Sequence, residues 1–213
     1  MPFDHNDHYH RLLLRQVPGG SGAALDVGCG TGRLARRLAR LGLDVDAVDT
    51  SEEVIAHARA LSARNPGLPA PRYRQADVTA LELPPRHYDF ISCLASIHHV
   101  SFSTVAALRD ALAPGGVLVI LGCYPETTWP DRAWSLAAVP VNAVTRLAVA
   151  VRERLGPAPG ASGPSGAGRV TAPIRRPELT LPQIRREAAV LLPGCRIRRL
   201  LFWRYLLVFR NSG

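Results

Sequence analysis

The stretch from Ala24 to Leu34, ALDVGCGTGRL, limits the fold of this chain more than any other. A short apolar run ends in three alternate glycines, Gly28, Gly30 and Gly32, and a helical pattern begins directly after them. This order predicts a buried strand, a tight loop and a helix. Glycines let a ligand lie against the backbone, and the unpaired amides at the start of a helix face that ligand. The stretch therefore predicts a nucleotide-type binding loop.

The spacing of the glycines argues against a dinucleotide ligand. The dinucleotide fingerprint is Gly-x-Gly-x-x-Gly, whereas here the third glycine comes one residue early and Arg33 follows it. Asp26 lies in the strand just before the loop, where a carboxylate would repel a pyrophosphate but would suit an ammonium group. The stretch strongly resembles the first motif of class I S-adenosylmethionine-dependent methyltransferases, acidic-x-Gly-x-Gly-x-Gly. In that family the loop holds the methionine end of the cofactor S-adenosylmethionine.

Later positions agree with the same family. Asp49 ends the second predicted strand, and Thr50 with Glu53 reads as a capping box for the next helix. A carboxylate at this place can accept two ribose hydroxyls, and the resemblance gives Asp49 that role. Residues 73–78 read as the third strand and its exit, and the resemblance places the adenine amino group at Asp77, with Val78 beside it.

The order of predicted elements gives the fold class. Five strands with intervening helices indicate a parallel, doubly wound sheet whose ligands lie at the carboxyl ends of the strands. The helix after the fourth strand carries Val105, Leu108 and Leu112, and Asp89 and the turn Pro114-Gly115-Gly116 match later family motifs. At the far end, Thr180 to Gln183 opens a last helix with another capping box, and two strands follow at 196–201 and 203–209. We predict an α/β, Rossmann-like doubly wound fold with a seven-stranded, mostly parallel sheet, a C-terminal antiparallel hairpin and a helical cap inserted after strand five.

The resemblance covers about residues 20–122 and 180–210. We expect a single methyltransferase domain over residues 1–213, divided into an N-terminal helix or lid (1–19), a cofactor-binding core (20–122), a cap insertion (123–179) with a mobile loop (156–168), and a final helix with closing strands (180–213). The N-terminal segment has an alternative interpretation, a solvated arm, because its first turns are polar.

Charge and composition narrow the class of partner. The chain has 213 residues, of which 47% are hydrophobic and 20% charged, as in an ordinary globular domain. Its net charge of +9 comes from arginines spread along the whole sequence, with no lysine, so we do not expect a nucleic-acid partner.

The N-terminal segment, the apolar runs and the spacing of the cysteines indicate where the protein is located. Met1 to His10 shows no signal-peptide pattern. The apolar run 134–151 contains Pro140, Asn142 and Arg146, so we expect no membrane span. The four cysteines are widely separated, which favours reduced thiols and a cytoplasmic protein; they are Cys29, Cys93, Cys123 and Cys195.

The candidate site residues fall into three groups. The predicted cofactor-binding residues are Asp26, Gly28, Cys29, Gly30, Gly32, Asp49, Thr50, Asp77, Val78, Leu94 and Tyr9. Three aromatic residues follow the fifth strand, where this family commonly builds its substrate cover, and they predict a mainly apolar acceptor pocket: Tyr124, Trp129 and Trp134. Alternatively, the stretch 123–151 forms a homodimer or membrane-surface contact.

His98 and His99 are the titratable pair at the end of the fourth strand. Adjacent side chains on an extended segment point apart, so the pair cannot chelate one metal, and we predict no metal site. At most one of them faces the acceptor as a general base. The alternative is one packed and one solvated histidine.

We expect the chain to transfer the methyl group of S-adenosylmethionine to an oxygen, nitrogen or carbon of a largely apolar small molecule, with secondary metabolism as the expected setting. An RNA methyltransferase is the first alternative. Enzymes of that class acting on exocyclic amines carry Asn/Asp-Pro-Pro-aromatic where this chain has Ala95-Ser96-Ile97-His98. The second alternative is a member that binds the cofactor without methylating anything.

Overall fold

A computed structural model of the protein describes residues 5–20, 22–94, 96–97, 100–125, 177–200 and 203–213. In chain order these residues form α1 (His5–Leu14), β1 (Ala23–Val27), α2 (Arg33–Arg40), β2 (Asp44–Asp49), α3 (Glu52–Ala63), β3 (Arg72–Gln75), a 3-10 turn (Val78–Ala80), β4 (Tyr88–Leu94), α4 (Thr104–Asp110), β5 (Leu112–Cys123), α5 (Leu181–Leu191), β6 (Arg196–Arg199) and β7 (Arg204–Arg210).

The strands form one seven-stranded sheet in the order β3-β2-β1-β4-β5-β7-β6. The pairs from β3 to β5 are parallel, and β7 pairs antiparallel with both β5 and β6. The predicted Rossmann-like α/β fold, with its C-terminal antiparallel hairpin, is confirmed. The strand order reverses between β1 and β4, and in open α/β sheets ligands bind outside the carboxyl ends of the strands at such a point.

Helices cover both faces of the sheet because its central strands are apolar on both sides. One core cluster joins Leu25 and Val27 of β1 to residues of α4 and α5. A second cluster joins Ala24 to Leu13 of α1 and to residues of α2 and α3. Burial of both faces explains why β1 reads as a near-continuous apolar run. Asp26 is the one polar residue of β1, and it too is buried.

The start of α3 differs from the sequence expectation. The predicted capping box of Thr50 and Glu53 is wrong, since Ser51 is the N-cap and its side chain accepts a hydrogen bond from the amide of Val54. Asp49 explains the shift, because its Oδ1 accepts the amide of Ser51 at 3.0 Å. That bond holds Ser51, rather than Thr50, in the capping position.

The strands around Leu112 also differ from expectation. The sequence pattern predicts Leu112 on the inner face of a helix, and this prediction is wrong. The helix α4 ends at Asp110, whereas Leu112 begins β5 and pairs with Tyr88. The register then shifts, and regular pairing resumes at Phe90 and Val117. Residues 113–116 therefore form a bulge within β5, which is where the Pro-Gly-Gly turn lies. The third strand, β3, ends at Gln75, and Asp77 and Val78 follow in its exit, as the sequence predicts.

The last part of the chain follows its pattern. The amide of Thr180 donates to Oε1 of Gln183 at 2.8 Å, so the capping box predicted for α5 is confirmed. Most of the predicted cap, including the loop 156–168, lies outside the described residues, and the division of the chain into lid, core and cap stays a prediction. Within the described ranges no helix is long and apolar enough to cross a membrane.

Candidate cofactor-binding site

The glycine loop leaves β1 at the carboxyl edge of the sheet and is tied to the neighbouring strand. The amides of Gly28 and Cys29 both donate to the carbonyl of Val48 in β2, at 2.8 and 3.0 Å. All three loop glycines have positive φ, 67° at Gly28, 54° at Gly30 and 72° at Gly32. L-residues with a side chain rarely adopt this conformation. The loop therefore needs glycine at alternate positions for its backbone path alone.

The three glycines differ in how much room each has for a side chain. A Cβ atom at Gly28 would clash with the side chain of Ser96, and one at Gly32 would clash with the ring of Tyr73. A Cβ at Gly30 would meet no protein atom within 4 Å. Packing therefore excludes a side chain at Gly28 and Gly32, whereas the face of Gly30 opens outward from the loop.

Asp49 holds the loop from β2. Its Oδ2 accepts the amide of Gly30 at 2.9 Å, while its Oδ1 accepts the amide of Ser51 at 3.0 Å. The carboxylate thus bridges the glycine loop and the start of α3. Each oxygen can accept further hydrogen bonds, so the half-buried carboxylate can still receive donors from a ligand at the edge of the sheet.

Asp26 is buried in β1, two residues before Gly28, with 1% of its surface exposed. Its Oδ1 accepts the hydroxyl of Ser92 at 2.7 Å, and its Oδ2 has no hydrogen-bond partner. Burial raises the pKa of Asp26 to about 6, although the Ser92 hydroxyl and the Ala35 amide oppose this shift. A carboxylate with one unpaired oxygen in an apolar site favours either a proton or a cationic partner.

Folding raises the pKa of Asp26, so between about pH 4 and pH 6 the folded chain binds a proton that the unfolded chain releases. The contribution of Asp26 to the free energy of unfolding therefore falls as the pH rises from about 4 to about 6. We expect Asp26→Asn to raise the free energy of unfolding at pH 8 by up to about 3 kcal/mol, since one pKa unit corresponds to about 1.4 kcal/mol. The same variant should have little effect at pH 4. Urea unfolding at both pH values measures this difference.

Asp46→Asn is the matched control for that measurement. Burial tends to raise the pKa of Asp46, but hydrogen bonds from Arg72 and Tyr88 outweigh burial and hold that pKa below its ordinary value. Its removal should therefore destabilise the protein near neutral pH, opposite in sign to Asp26→Asn. Equal effects of Asp26→Asn at pH 4 and pH 8 would show that the Asp26 carboxylate does not titrate in this range.

Asp77 and Val78 lie where β3 leaves the sheet. Asp77 caps the 3-10 turn: its Oδ1 accepts the amide and the hydroxyl of Thr79, at 2.9 and 2.7 Å. These bonds lower the pKa of Asp77. The carboxyl group is exposed, and Val78 is buried next to it. Thr50 is exposed at the neighbouring strand end, and its carbonyl accepts the side-chain amide of Gln75 at 3.2 Å.

The N-terminal helix packs on the same face of the sheet as Cys29 of the glycine loop. Tyr9 of α1 is 7% exposed and belongs to the same core cluster as Cys29 of the loop, with Leu94 of β4 packed against that cluster. Burial raises the pKa of the Cys29 thiol, which therefore stays protonated. The structure thus brings these three predicted residues together on the α1 side of the sheet.

The predicted acceptor side is described in part. Tyr124 is buried, and its hydroxyl accepts Nε of Arg199 at 2.6 Å. A cavity of about 250 Å³ opens at the exits of β4 and β5, and Tyr124 is not among the residues that line it. The residues that line it are Ile97, Val100, Ser101, Phe102, Cys123, Pro177, Glu178, Leu179, Ile184, Glu187 and Tyr205. The other predicted acceptor residues, Trp129 and Trp134, and the predicted bases, His98 and His99, lie outside the described residues.

The sequence pattern gives no role to three residues whose role is clear in the structure. Ser92 bonds Asp26, and Ser96 fills the space above Gly28 while its hydroxyl donates to the carbonyl of Val27 at 2.7 Å. Asp89 accepts the amides of Gly22 and Ala23, at 2.7 and 3.0 Å, and so fixes the start of β1. All three lie on or just after β4. Their roles depend on β4 pairing with β1, which the sequence implies only through the family's strand order.

In the described part of the chain no group of three or more His, Cys, Asp or Glu side chains is placed to hold an ion. The doubly wound sheet and its glycine loop at the β1/β4 switch point define a nucleotide-type cofactor-binding protein.

Comparison with known proteins identifies the family. Residues 24–116 match the model of the methyltransferase domain family. The chain is 33% identical over 212 residues to an uncharacterized methyltransferase of Mycobacterium tuberculosis, covering 98% of this chain and 97% of that protein. This chain therefore belongs to the methyltransferase domain family, and S-adenosylmethionine is its cofactor.

Two solved structures are also similar. The crystal structure of the [4+2]-cyclase SpnF is 26% identical with a TM-score of 0.52, and the match covers 57% of this chain and 46% of that one. A magnesium protoporphyrin IX methyltransferase from Synechocystis PCC 6803, solved with bound S-adenosylhomocysteine, is 19% identical with a TM-score of 0.59. That match covers 97% of this chain and 81% of the other and shows the shared fold.

Proposed function

We propose that this protein transfers the methyl group of S-adenosylmethionine to an oxygen, nitrogen or carbon of a small, largely apolar acceptor in the cytoplasm, with secondary metabolism as the setting. The observation that carries the acceptor class is the 250 Å³ cavity, whose walls include Ile97, Phe102 and Leu179. Its volume is just below the roughly 300–1,000 Å³ of typical ligand pockets, which suits a small acceptor. The cavity is close to the glycine loop in sequence terms, because its lining residue Ile97 directly follows Ser96, whose side chain packs against Gly28. The four cysteines are free thiols, as expected of a reducing compartment.

The predicted cofactor residues form a consistent set under this proposal. Asp49 would receive the ribose hydroxyls, since its oxygens lie at the end of β2 and retain acceptor capacity. Asp26 would balance the ammonium group as a buried charge behind the glycine loop, because its Oδ2 has no hydrogen-bond partner and is shielded from water. Asp77 would accept the adenine amino group through the carboxylate oxygen that Thr79 does not use. Gly30 would lie directly under the ligand.

The chemistry demands mainly geometry from the protein. When bound, S-adenosylmethionine supplies a methyl group on a positively charged sulfur, which is already a good leaving group. Holding an acceptor atom in line with that methyl group can supply roughly 7–11 kcal/mol. A general base, for which we propose His98 or His99, adds about 10²- to 10⁴-fold. The walls of the cavity would orient the acceptor and exclude water.

A second function is favoured by one comparison. The structure of SpnF, a [4+2]-cyclase by its title, shares this fold at 26% identity. A related activity here would use the cofactor without consuming it. Incubating the protein and isotopically labelled S-adenosylmethionine with a host extract separates the two functions. Methyl transfer predicts labelled small-molecule products by mass spectrometry, together with S-adenosylhomocysteine. A folded protein that binds the cofactor but yields neither product supports the alternative.

We expect Trp129→Ala and Trp134→Ala to raise the acceptor's KM or lower kcat while leaving cofactor affinity nearly unchanged. The reason is that the segment following β5 would cover the acceptor, whereas the glycine loop holds the cofactor independently. His98→Ala or His99→Ala should instead slow the chemical step by no more than about 10⁴-fold, the limit of a general base. Steady-state kinetics with the acceptor found in the extract, and calorimetry with S-adenosylhomocysteine, measure the two effects separately.

A different outcome would assign this segment to self-association. If both tryptophan variants kept full activity but lost a dimer on a sizing column, residues 123–151 would form an interface between two copies of the chain. The acceptor would then have to be covered by other residues.

A further inference from the structure

The 250 Å³ cavity at the exits of β4 and β5 carries two acidic side chains. Glu187 lies in α5 and Glu178 in the segment just before that helix, and both line the cavity. None of the described residues that line it carries a positive charge, and most of the others are apolar. The two carboxylates therefore make this part of the cavity negative at neutral pH.

Neither carboxylate is neutralised by a neighbouring side chain. No ion pair or hydrogen bond joins the side chain of Glu178 or Glu187 to another residue in the described ranges. Arg185 and Arg186 precede Glu187 in α5, but side chains one or two positions apart on a helix do not face each other. Glu187 is also half-buried. A carboxylate partly withdrawn from water gains more from a nearby cation than an exposed carboxylate does.

A buried tyrosine gives the same cavity a further polar group. Tyr205 is 1% exposed and lines the cavity. Its hydroxyl makes no hydrogen bond to the described residues, yet it is not among the buried atoms that lack a partner. The hydroxyl is therefore unpaired but not sealed within the protein, and it is open to the cavity. Buried polar groups are nearly always hydrogen-bonded, so this one indicates a polar ligand.

Glycine in β5 makes room for this side chain. Tyr205 of β7 pairs with Gly122 of β5, and a Cβ atom at Gly122 would overlap the ring and the hydroxyl of Tyr205. Burial raises the pKa of the Tyr205 hydroxyl, with smaller contributions from Cys93 and Cys123. The hydroxyl therefore stays protonated and lies over the end of β5, at the edge of the sheet where the acceptor is expected.

Charge decides which kind of polar ligand suits this cavity. An acid would be repelled by the two unpaired carboxylates, and a neutral ligand would leave them without compensation. An ammonium group can donate hydrogen bonds both to a carboxylate and to the oxygen of a tyrosine. The apolar walls suit the remainder of a small apolar molecule.

We propose that the acceptor is an apolar amine whose ammonium group binds the carboxylate of Glu187, with Glu178 and the hydroxyl of Tyr205 as further partners. This proposal rests on the proposed methyl transfer and narrows the acceptor to a cationic small molecule. The bound ammonium group has no lone pair, so it serves recognition, and the methyl group goes to another atom of the acceptor. Glu187 is a specificity residue in this assignment and takes no part in the displacement at the methyl carbon.

Benzylamine and benzyl alcohol are matched probes, because they have nearly the same shape and only the amine is charged at pH 7. We expect the wild-type protein saturated with S-adenosylhomocysteine to bind benzylamine at least about tenfold more tightly than benzyl alcohol in an NMR titration at fixed salt. Glu187→Gln should reduce that ratio to about threefold or less. Glu178→Gln should reduce it by a smaller factor, because Glu178 is exposed. Affinity for S-adenosylhomocysteine should stay the same in both variants.

Tyr205→Phe separates the hydrogen bond from the charge. Both probes can donate to the hydroxyl of Tyr205, so its removal should weaken both by a similar factor, roughly two- to tenfold, and leave their ratio nearly unchanged. The variant keeps the ring over Gly122 and should therefore stay folded. Unchanged affinity for both probes would contradict the part of the proposal that concerns Tyr205.

Glu52→Gln is the matched control for the loss of one negative charge. Glu52 is an exposed residue in the first turn of α3, a helix whose buried residues Ile55 and Ala58 join the core cluster on the opposite face of the sheet from Tyr205. Its removal should leave the benzylamine preference unchanged. The net charge of the chain is +9, so its overall field disfavours a cation, and a preference for benzylamine has to come from local carboxylates.

Two results would overturn the proposal: equal wild-type affinities for the two probes, or a benzylamine preference that persists in folded Glu187→Gln. Loss of the preference in Glu52→Gln as well would assign it to net charge and would also overturn it. The extract experiment with labelled S-adenosylmethionine keeps the two levels apart. Labelled products that all lack an amine would refute the cation site and leave methyl transfer standing, whereas the absence of any labelled product would refute the methyl-transfer proposal itself.

Discussion

Gly30→Ala should lower S-adenosylmethionine affinity by at least about 100-fold while leaving the protein folded. A methyl group at this position meets no protein atom within 4 Å, so packing does not resist it. The φ of 54° costs an alanine about 1–2 kcal/mol, which a folded domain with about 5–15 kcal/mol of stability tolerates. The new Cβ would instead occupy the face on which we place the cofactor. Calorimetry with S-adenosylmethionine and a thermal melt of the same sample measure the two effects.

Gly28→Ala is the informative comparison, because there the obstruction comes from the protein. Its Cβ would overlap the side chain of Ser96, whose hydroxyl bonds the end of β1. We expect Gly28→Ala to lower the melting temperature more than Gly30→Ala does, through a clash added to the same backbone strain. If Gly30→Ala bound the cofactor like wild type, the open face of Gly30 would not be the ligand surface. If the Gly30→Ala substitution unfolded the protein, the strain of a side chain at positive φ would be sufficient to explain the glycine at this position.

The sequence predicted those features that depend on local pattern. Three alternate glycines after an apolar run gave the loop, and apolar runs separated by helical periodicity gave the parallel sheet with its closing hairpin. Each of these signals lies within a stretch of about ten residues. The resemblance to a known family then supplied the strand order, which local pattern alone does not contain.

Features that depend on neighbours across the sheet were not predictable in this way. Ser92 donates a hydrogen bond to Asp26 because β4 lies beside β1. Ser96 fills the space next to Gly28, although the two residues are far apart in sequence.

The cap at the start of α3 shows how a tertiary bond overrides a local rule. Thr50 and Glu53 have the spacing of a capping box, but the carboxylate of Asp49 takes the amide of Ser51 and moves the cap by one residue. The same carboxylate also takes the amide of Gly30. The local expectation failed at the residue that joins two parts of the candidate site, which is where conflicts between local and global preferences are expected.

Asp49→Ala should weaken S-adenosylmethionine binding by roughly 1.5–3 kcal/mol, about 10- to 150-fold, the usual scale for hydrogen bonds to a charged group. Two causes combine. The proposed bonds to the ribose hydroxyls are lost, and the amides of Gly30 and Ser51 lose the acceptor that fixes the loop to α3. Asp49→Asn separates these causes, because it keeps an oxygen for one amide but removes the charge. It should therefore fall between Asp49→Ala and wild type in calorimetric affinity.

Asp44→Ala is the control for the change of charge on the same strand. Asp44 begins β2, at the edge of the sheet away from the glycine loop, and forms an exposed ion pair with Arg72. Exposed pairs contribute about 0–1 kcal/mol to stability, so this variant should keep both its fold and its cofactor affinity. An unchanged dissociation constant in folded Asp49→Ala would move the ribose away from the end of β2. Equal losses in Asp44→Ala and Asp49→Ala would mean that net charge, and not the position of the carboxylate beside Gly30, governs cofactor binding.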